Sequence, residues 1–202
     1  MGGTHGARHG PGSLSSRTVA SAITSSPLDA FLPTWHWRSR HTAILPTSPM
    51  AAFAAAREVT LAELPTAAAL RHVDPGVTVL DDLVGQGFVP LCEPDDASIV
   101  VGRIGQFWQK QHLATGTSAF ATVDAPGQAK AALLFAAEGH GNDCLVVIEA
   151  RIEATDERTV QEFARHWLVS AWSNRLVYRE LLEAIRHRLG VERYSARSLD
   201  RS

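Results

Sequence analysis

The stretch DERTVQEFARHWLVSAWSNRLVYRELLEAIRHRLG, Asp156 to Gly190, decides the fold. Within it apolar residues recur as Val160, Phe163, Trp167 and Ala171, then Tyr178, Leu181, Ile185 and Leu189. That spacing puts one apolar stripe on a helix. Asp156, or Thr155 just before it, supplies the N-cap. The stripe slips at Trp172-Ser173-Asn174, where a kink is expected. A helix this long, arriving after short strands, needs one large partner surface, and a curved antiparallel sheet provides it. Layers of this kind often leave a cavity between sheet and helix, so the expected role is to hold something apolar.

Upstream, Leu28 to Trp37 (LDAFLPTWHW) is the first stretch with the apolar content to dock on a folded body. His41 to Leu45 reads as a first strand. Met50 to Glu58 reads as a helix, with Ser48 as N-cap and Pro49 at its first position. A second short helix covers about Leu61 to His72 and stops at Asp74-Pro75-Gly76. Strands follow at Val77 to Leu83, Gly87 to Cys92, Ser98 to Trp108 and, more weakly, Thr117 to Val123. Gln128 to Glu138 and Cys144 to Ala154 form a hairpin across Gly139-His140-Gly141-Asn142. The fold class expected is α+β, with a curved antiparallel sheet of about seven strands around the C-terminal helix and two short helices after the first strand. Residues 1–27 read as a disordered tail, 28–190 as one domain and 191–202 as a flexible tail.

The chain has 202 residues, 45% hydrophobic and 20% charged, enough for a substantial core without staples. A formal net charge of −2 steers it toward neither nucleic acid nor an acidic membrane. Cys92 and Cys144 are too few for a disulfide framework, which fits a reducing cytoplasm. No run approaches the eighteen or so apolar residues of a membrane span, so stable membrane insertion is not expected. Nine histidines form no ligand pair or His/Cys cluster in a structured region, so neither metal nor cofactor is expected. The pattern leaves oligomeric state open.

The wording of three segments is distinctive: Gly102-Arg103-Ile104-Gly105-Gln106-Phe107-Trp108, Pro126-Gly127-Gln128-Ala129-Lys130-Ala131-Ala132, and Glu149-Ala150-Arg151-Ile152-Glu153-Ala154-Thr155-Asp156. With the element order, these resemble the START-like (SRPBCC, helix-grip) superfamily of birch-pollen-allergen-like proteins, aromatic polyketide cyclases and lipid-transfer domains. Within it they resemble a polyketide-cyclase-like group without a shared activity. The resemblance runs from about Leu28 to Leu189. It implies a cavity between sheet and C-terminal helix, and it departs from the group's pattern at Gln128, Ile148 and Trp172-Ser173-Asn174.

Candidate site residues follow from strand alternation. Ile99, Val101, Arg103, Gly105 and Phe107 share one face of their strand. If that face lines the cavity, Arg103 grips a carboxylate, enolate or phenolate; otherwise it stands on the outer face, paired with a carboxylate such as Glu93. Lys130 alternates with Ala132, Leu134 and Ala136, and reads as a cation near the cavity mouth or a lysine reaching solvent. Glu149, Arg151 and Glu153 read as the solvated face of a strand, a pattern that a pocket of paired carboxylates for acid–base work would share in one dimension. Phe163 and Trp167 serve as core filler or as ligand platforms. The ligand set is therefore Arg103, Phe107, Lys130, Leu134, Phe163 and Trp167, around a small hydrophobic ligand.

Three functions fit. The first is binding of a small apolar or amphipathic molecule of lipid, polyketide or isoprenoid type. The second is an aromatic cyclase or dehydratase, which needs an acid or base beside a cation. Arg103 supplies the cation, but neither His112 nor His166 is a convincing base, so no catalytic residue is assigned. The third is an interaction domain with a filled core.

Overall fold

In the computed structural model, residues 26–70, 73–109, 111–113 and 117–191 are described. The expectations for residues 1–25 and 192–202 lie outside them.

The expected hairpin is the centre of the sheet. Strands β5 (Ala129–His140) and β6 (Asp143–Ala154) pair antiparallel from Ala129 with Ala154 to His140 with Asp143. Gly141, at φ +65°, takes the left-handed conformation that the tight turn requires. Strand β1 (Trp37–Leu45) pairs with β6, and β3 (Ser98–Gln106) with β5. Two short strands, β2 (Val89–Pro90) and β4 (Gln111–Leu113), pair with β3. The result is an α+β fold with one open antiparallel sheet of six strands among the described residues, ordered β1-β6-β5-β3-β2 with β4 beside β3.

Helix α1 (Pro49–Glu58) starts as its sequence dictates: Ser48 Oγ accepts from Ala51 N at 3.2 Å, and Pro49 opens the first turn. A 3-10 turn at Leu61–Glu63 and helix α2 (Pro65–Leu70) follow. Two stretches read as strands are helical. Val77 to Leu83 contains most of α3 (Val79–Gly85), because Thr78 Oγ1 caps Asp81 N at 3.1 Å and the acids Asp81 and Asp82 favour a helix N-terminus. Thr117 to Val123 contains α4 (Thr117–Thr122). Runs this short carry no decisive periodicity, and tertiary packing of Phe120 selects the helix. These changes remove two of the roughly seven strands expected from alternation, and β4 adds one that was not expected.

Helix α5 spans Glu157–Arg188. Asp156 caps it by accepting from Thr159 N at 2.9 Å, and also accepts from Gly127 N in the turn before β5 at 2.5 Å. The slip in the apolar stripe at Trp172-Ser173-Asn174 does not interrupt the helix. Among the described residues no helix is long and apolar enough to cross a membrane.

Both faces of the sheet are covered. On the inner face Ala43, Leu45, Phe135, Ala137, Cys144, Val146 and Ile148 pack against Phe53 and Ala56 of α1 and Leu181, Leu182 and Ile185 of α5. On the outer face Val100, Ile104, Leu134, Ala136 and Val147 pack beneath Leu28, Leu32, Leu91 and Phe120. The covering residues Leu28 and Leu32 belong to the N-terminal segment that the sequence marked for docking. Gly102 makes room for this layer: a Cβ there would lie 2.7 Å from Leu91 Cδ1 and 2.8 Å from Phe120 Cε2.

That covering layer overturns one expectation. Glu149 and Arg151 are not solvated but buried, at 0% and 2% exposure. Arg151 Nη1 reaches Asp29 at 2.6 Å and the Leu32 carbonyl at 2.9 Å, and its guanidinium lies over the Trp35 ring at 4.2 Å. A solvated strand face and a face buried by a distant segment look identical in one dimension.

Candidate functional site

A cavity of about 220 Å³ lies between the inner face of the sheet and the helices. Its sheet wall consists of Ile99 and Val101 from β3, Ala131, Leu133 and Phe135 from β5, and Ile148, Ala150 and Ile152 from β6. Helix α5 contributes Trp167, Asn174, Val177, Tyr178 and Leu181. The remaining wall comes from Phe53, Ala56, Leu61 and Leu64, then Val79 and Leu83 of α3, and Phe88. Alanines at 131 and 150 leave space on this wall, because a methyl group fills less of it than the neighbouring leucine and isoleucine side chains do. The lining is predominantly apolar, interrupted by Arg57, Asp82, Gln86, Arg103, Asn174 and Tyr178; Arg151 also borders it, although its guanidinium reaches Asp29 and Leu32 on the other side of the sheet.

Arg103 stands on the cavity face. It follows Ile99 and Val101 in the alternation of β3 and sits opposite Ala131, whose methyl group leaves room for a long side chain. Its Nη1 donates to the Gln86 carbonyl at 3.1 Å, and the guanidinium lies over the Phe88 ring, 4.6 Å from the centroid. A cation stacked on an aromatic face in a low-polarity wall is held in a fixed orientation. Of the two readings of this residue, the inward one describes the structure.

The other candidates divide. Trp167 lines the cavity. Phe163 does not: it is 2% exposed and packs against Trp37 at 4.7 Å and Trp108 at 5.3 Å, so it belongs to the core. Lys130 and Leu134 face the other way, since the register of β5 turns its odd-numbered side chains to the helices and its even-numbered ones outward. Lys130 Nζ pairs with Glu153 at 3.0 Å. Leu134 is buried in the outer core, although it also borders the cavity. The side chain of Phe107 lies outside the described residues.

Several lining residues escaped the sequence reading. Val79 and Leu83 were hidden by reading α3 as a strand. Phe88 and Gln86 sit on a connection whose path only the folded chain reveals. Tyr178 was legible on the α5 stripe. Its phenol is pushed above its ordinary value by burial, against an opposing contribution from Ser39, and its ring lies 5.0 Å from that of His41, tilted by 39°.

His166, one residue from Trp167, is held below its ordinary value of 6.5 by partial burial and then by the charge of Arg103. Its side chain is neutral near pH 7, and it is an exposed residue outside the set that lines the cavity. Among the described residues no group of three His, Cys, Asp or Glu side chains is placed to hold a metal ion. Cys92 is exposed and Cys144 buried, and both are free thiols.

The fold and site together define an α+β protein with an antiparallel sheet, one face of which shares a largely apolar chamber with its helices. No protein-family model and no curated protein matches the sequence. A solved structure, that of TTHA0849 from Thermus thermophilus, aligns over 76% of this chain and 97% of its own at 10% identity, with a TM-score of 0.31. A likeness of that size carries no argument about function.

Proposed function

We propose that this chain is a START-like, helix-grip protein that holds one small apolar or amphipathic molecule in the chamber between sheet and α5, with its polar end at Arg103. The single observation behind this reading is the cavity of about 220 Å³, apolar on nearly every side and carrying a stacked arginine. Ligand sites commonly combine apolar walls with a few placed polar groups. Size narrows the class. A cavity of about 150 Å³ takes up benzene, so this chamber suits a compact ring system or a short isoprenoid or acyl chain better than a diacyl lipid. A cytoplasmic carrier or sensor is the corresponding role. The cavity counts against the filled-core interaction domain.

The test is a titration of the purified protein with an apolar fluorescent probe, followed by displacement with matched anionic and neutral ring compounds. Saturable one-to-one binding is expected. Arg103→Gln should weaken the anionic compound by about 1.5 to 3 kcal/mol, the worth of a hydrogen bond to a charged group, and leave the neutral one nearly unchanged. No saturable binding by any probe sinks the proposal.

The cyclase-like reading has one observation in its favour: the charge of Arg103, after partial burial, helps hold the His166 imidazole below its ordinary value. A base with lowered proton affinity near a cation is the pairing that enolate chemistry uses. It is separated from the carrier by turnover: ring closure of a poly-β-keto thioester that His166→Gln abolishes, with probe binding intact, would establish the enzyme.

A further inference from the structure

Leu168 and Trp172 are one turn apart on α5, and they are 79% and 70% exposed. Isolated exposed leucines are common, but a tryptophan and a leucine stacked on one helical turn form a patch that calls for a partner. The flanking residues on the same face are Arg165, Arg175 and Arg179, all exposed. At 100° per residue the five positions fall within an arc of about 80°, and they run about 21 Å along the helix. From Phe163 to Arg179 the sequence contains no acidic residue. Among the described residues these three arginines form no salt bridge, whereas Arg158, Arg186 and Arg188 elsewhere on α5 pair with glutamates. The chain as a whole carries −2, so this basic, aromatic stripe departs from its surroundings.

Charge decides among the possible occupants. A second copy docked antiparallel on Leu168 and Trp172 sets Arg165 of one chain against Arg175 of the other, and a parallel arrangement sets each arginine against itself. Like charges facing each other oppose both. Residues 1–25 contain Arg8 and Arg17 and no acid, and residues 192–202 have three arginines against two acids, so neither tail complements the stripe. The complementary surface is anionic and accepts an indole ring. That combination describes the headgroup region of an acidic bilayer, where tryptophan settles at the boundary and arginine reaches the phosphates.

We propose that the Arg165–Arg179 stripe of α5 is a peripheral docking face for membranes containing anionic phospholipid, with Leu168 and Trp172 entering the headgroup boundary. The proposal does not depend on what the cavity holds. The same helix carries Trp167 and Asn174 in the cavity wall, so docking would bring one wall of the chamber alongside the lipid.

The experiment is co-sedimentation of the full chain with vesicles of phosphatidylcholine alone and of phosphatidylcholine mixed with phosphatidylglycerol, at low and high salt. Two variants accompany it: Leu168→Gln/Trp172→Gln, and Arg165→Gln/Arg175→Gln/Arg179→Gln. Every changed side chain is exposed and glutamine is a good helix former, so thermal unfolding and cavity-probe binding should be unchanged. We expect binding to the anionic vesicles that weakens with salt. The triple variant should lose affinity on the order of a hundredfold, and the apolar variant should lose most of what remains at high salt. Absence of binding to either vesicle overturns the proposal, as does binding that both variants retain. A vesicle-free dimer that Trp172→Gln dissolves would assign the patch to a second copy. Equal retention on polyglutamate, independent of Trp172, would reduce it to a plain polyanion site; either result also overturns the proposal.

Discussion

Glu149 and Arg151 leave β6 on the same face, two residues apart, and their side chains meet at 2.8 Å on the side of the sheet away from the cavity. The N-terminal segment seals them there. Arg38 Nε reaches the same Glu149 oxygen at 2.9 Å from β1, and Arg40 lies 3.8 Å from the other. Burial alone would push the Glu149 carboxyl up, but the hydrogen bonds from Arg38 and Arg151 outweigh it and hold it below its ordinary value. The pair therefore stays ionised and ties the Pro27–Ala30 turn to the sheet through Asp29.

Removing the carboxylate should be costly, because Arg151 is then buried with one anionic partner in place of two. Glu149→Gln is expected to destabilise the fold by about 3 kcal/mol, the lower end for breaking a buried pair. Arg38→Gln should cost less, since that side chain is 35% exposed. Urea denaturation at neutral pH measures both; equal and negligible losses would show that the segment does not depend on this network.

Acid should weaken the fold through identifiable groups. The Arg188 hydrogen bond holds Glu63 at about 2, and the Gly127 and Thr159 amides hold Asp156 at about 2. A carboxyl depressed in the folded state contributes stability that is complete above its ordinary value, 4.5 for Glu and 3.8 for Asp, and is lost as pH falls toward about 2. His41 and His166, both held below 6.5, act with the same sign, because the unfolded chain takes up their protons first. Thermal midpoints should thus fall on acidification below 6.5 and most steeply below 4.5. Glu63→Gln should flatten the steep part; an unchanged slope would remove Glu63 from the account.

Two glycines should respond oppositely to alanine. At Gly102 the new methyl would collide with Leu91 and Phe120, an overpacking cost of about 1 to 3 kcal/mol. At Gly85, the last residue of α3, nothing lies within 4 Å, and Gly85→Ala should stabilise by about 0.5 to 1 kcal/mol. Paired denaturation curves test the outer layer: if Gly102→Ala is also neutral, Leu91 and Phe120 do not cover β3 as described.

Phe163 and Trp167, one turn apart, should separate stability from binding. Phe163→Ala removes the hub of the ring cluster with Trp37 and Trp108 and should cost about 3 to 5 kcal/mol. Trp167→Ala enlarges a space that already exists, so its cost should be smaller and its effect on probe affinity larger. The reverse ranking would place the cavity elsewhere along α5.

Filling the chamber should compete with its ligand. Ala150→Leu places extra carbons where lining atoms now face empty space, so the fold should be retained while an apolar probe binds more weakly. Calorimetric unfolding and probe titration on the same sample give both numbers. Unaltered affinity would put the probe outside the cavity.

The elements legible in the sequence are those whose determinants lie close together along the chain. Ser48 and Pro49 start α1, Asp156 caps α5, and the glycine turn joins β5 to β6, each through contacts spanning a few residues. The periodicity of α5 and the class of fold follow from the same local information. Where local signals are weak, at Val77 to Leu83 and Thr117 to Val123, the pattern reads as strand but the chain folds as helix, since short apolar runs satisfy either period.

Alternation along β3 grouped Arg103 with Ile99 and Val101, and alternation along β5 grouped Lys130 with Leu134. Neither could say which group faces the helices, because β5 is apolar on both faces and the sheet has a layer on each. That choice rests on register between strands and on partners far away in sequence: Asp29 is 122 residues from the Arg151 it binds. Burial of Glu149 and Arg151, the inward turn of Arg103 and the outward turn of Lys130 were thus decided by tertiary structure alone. A strand's own residues set its two faces, but only what packs on the sheet determines which face becomes the cavity wall.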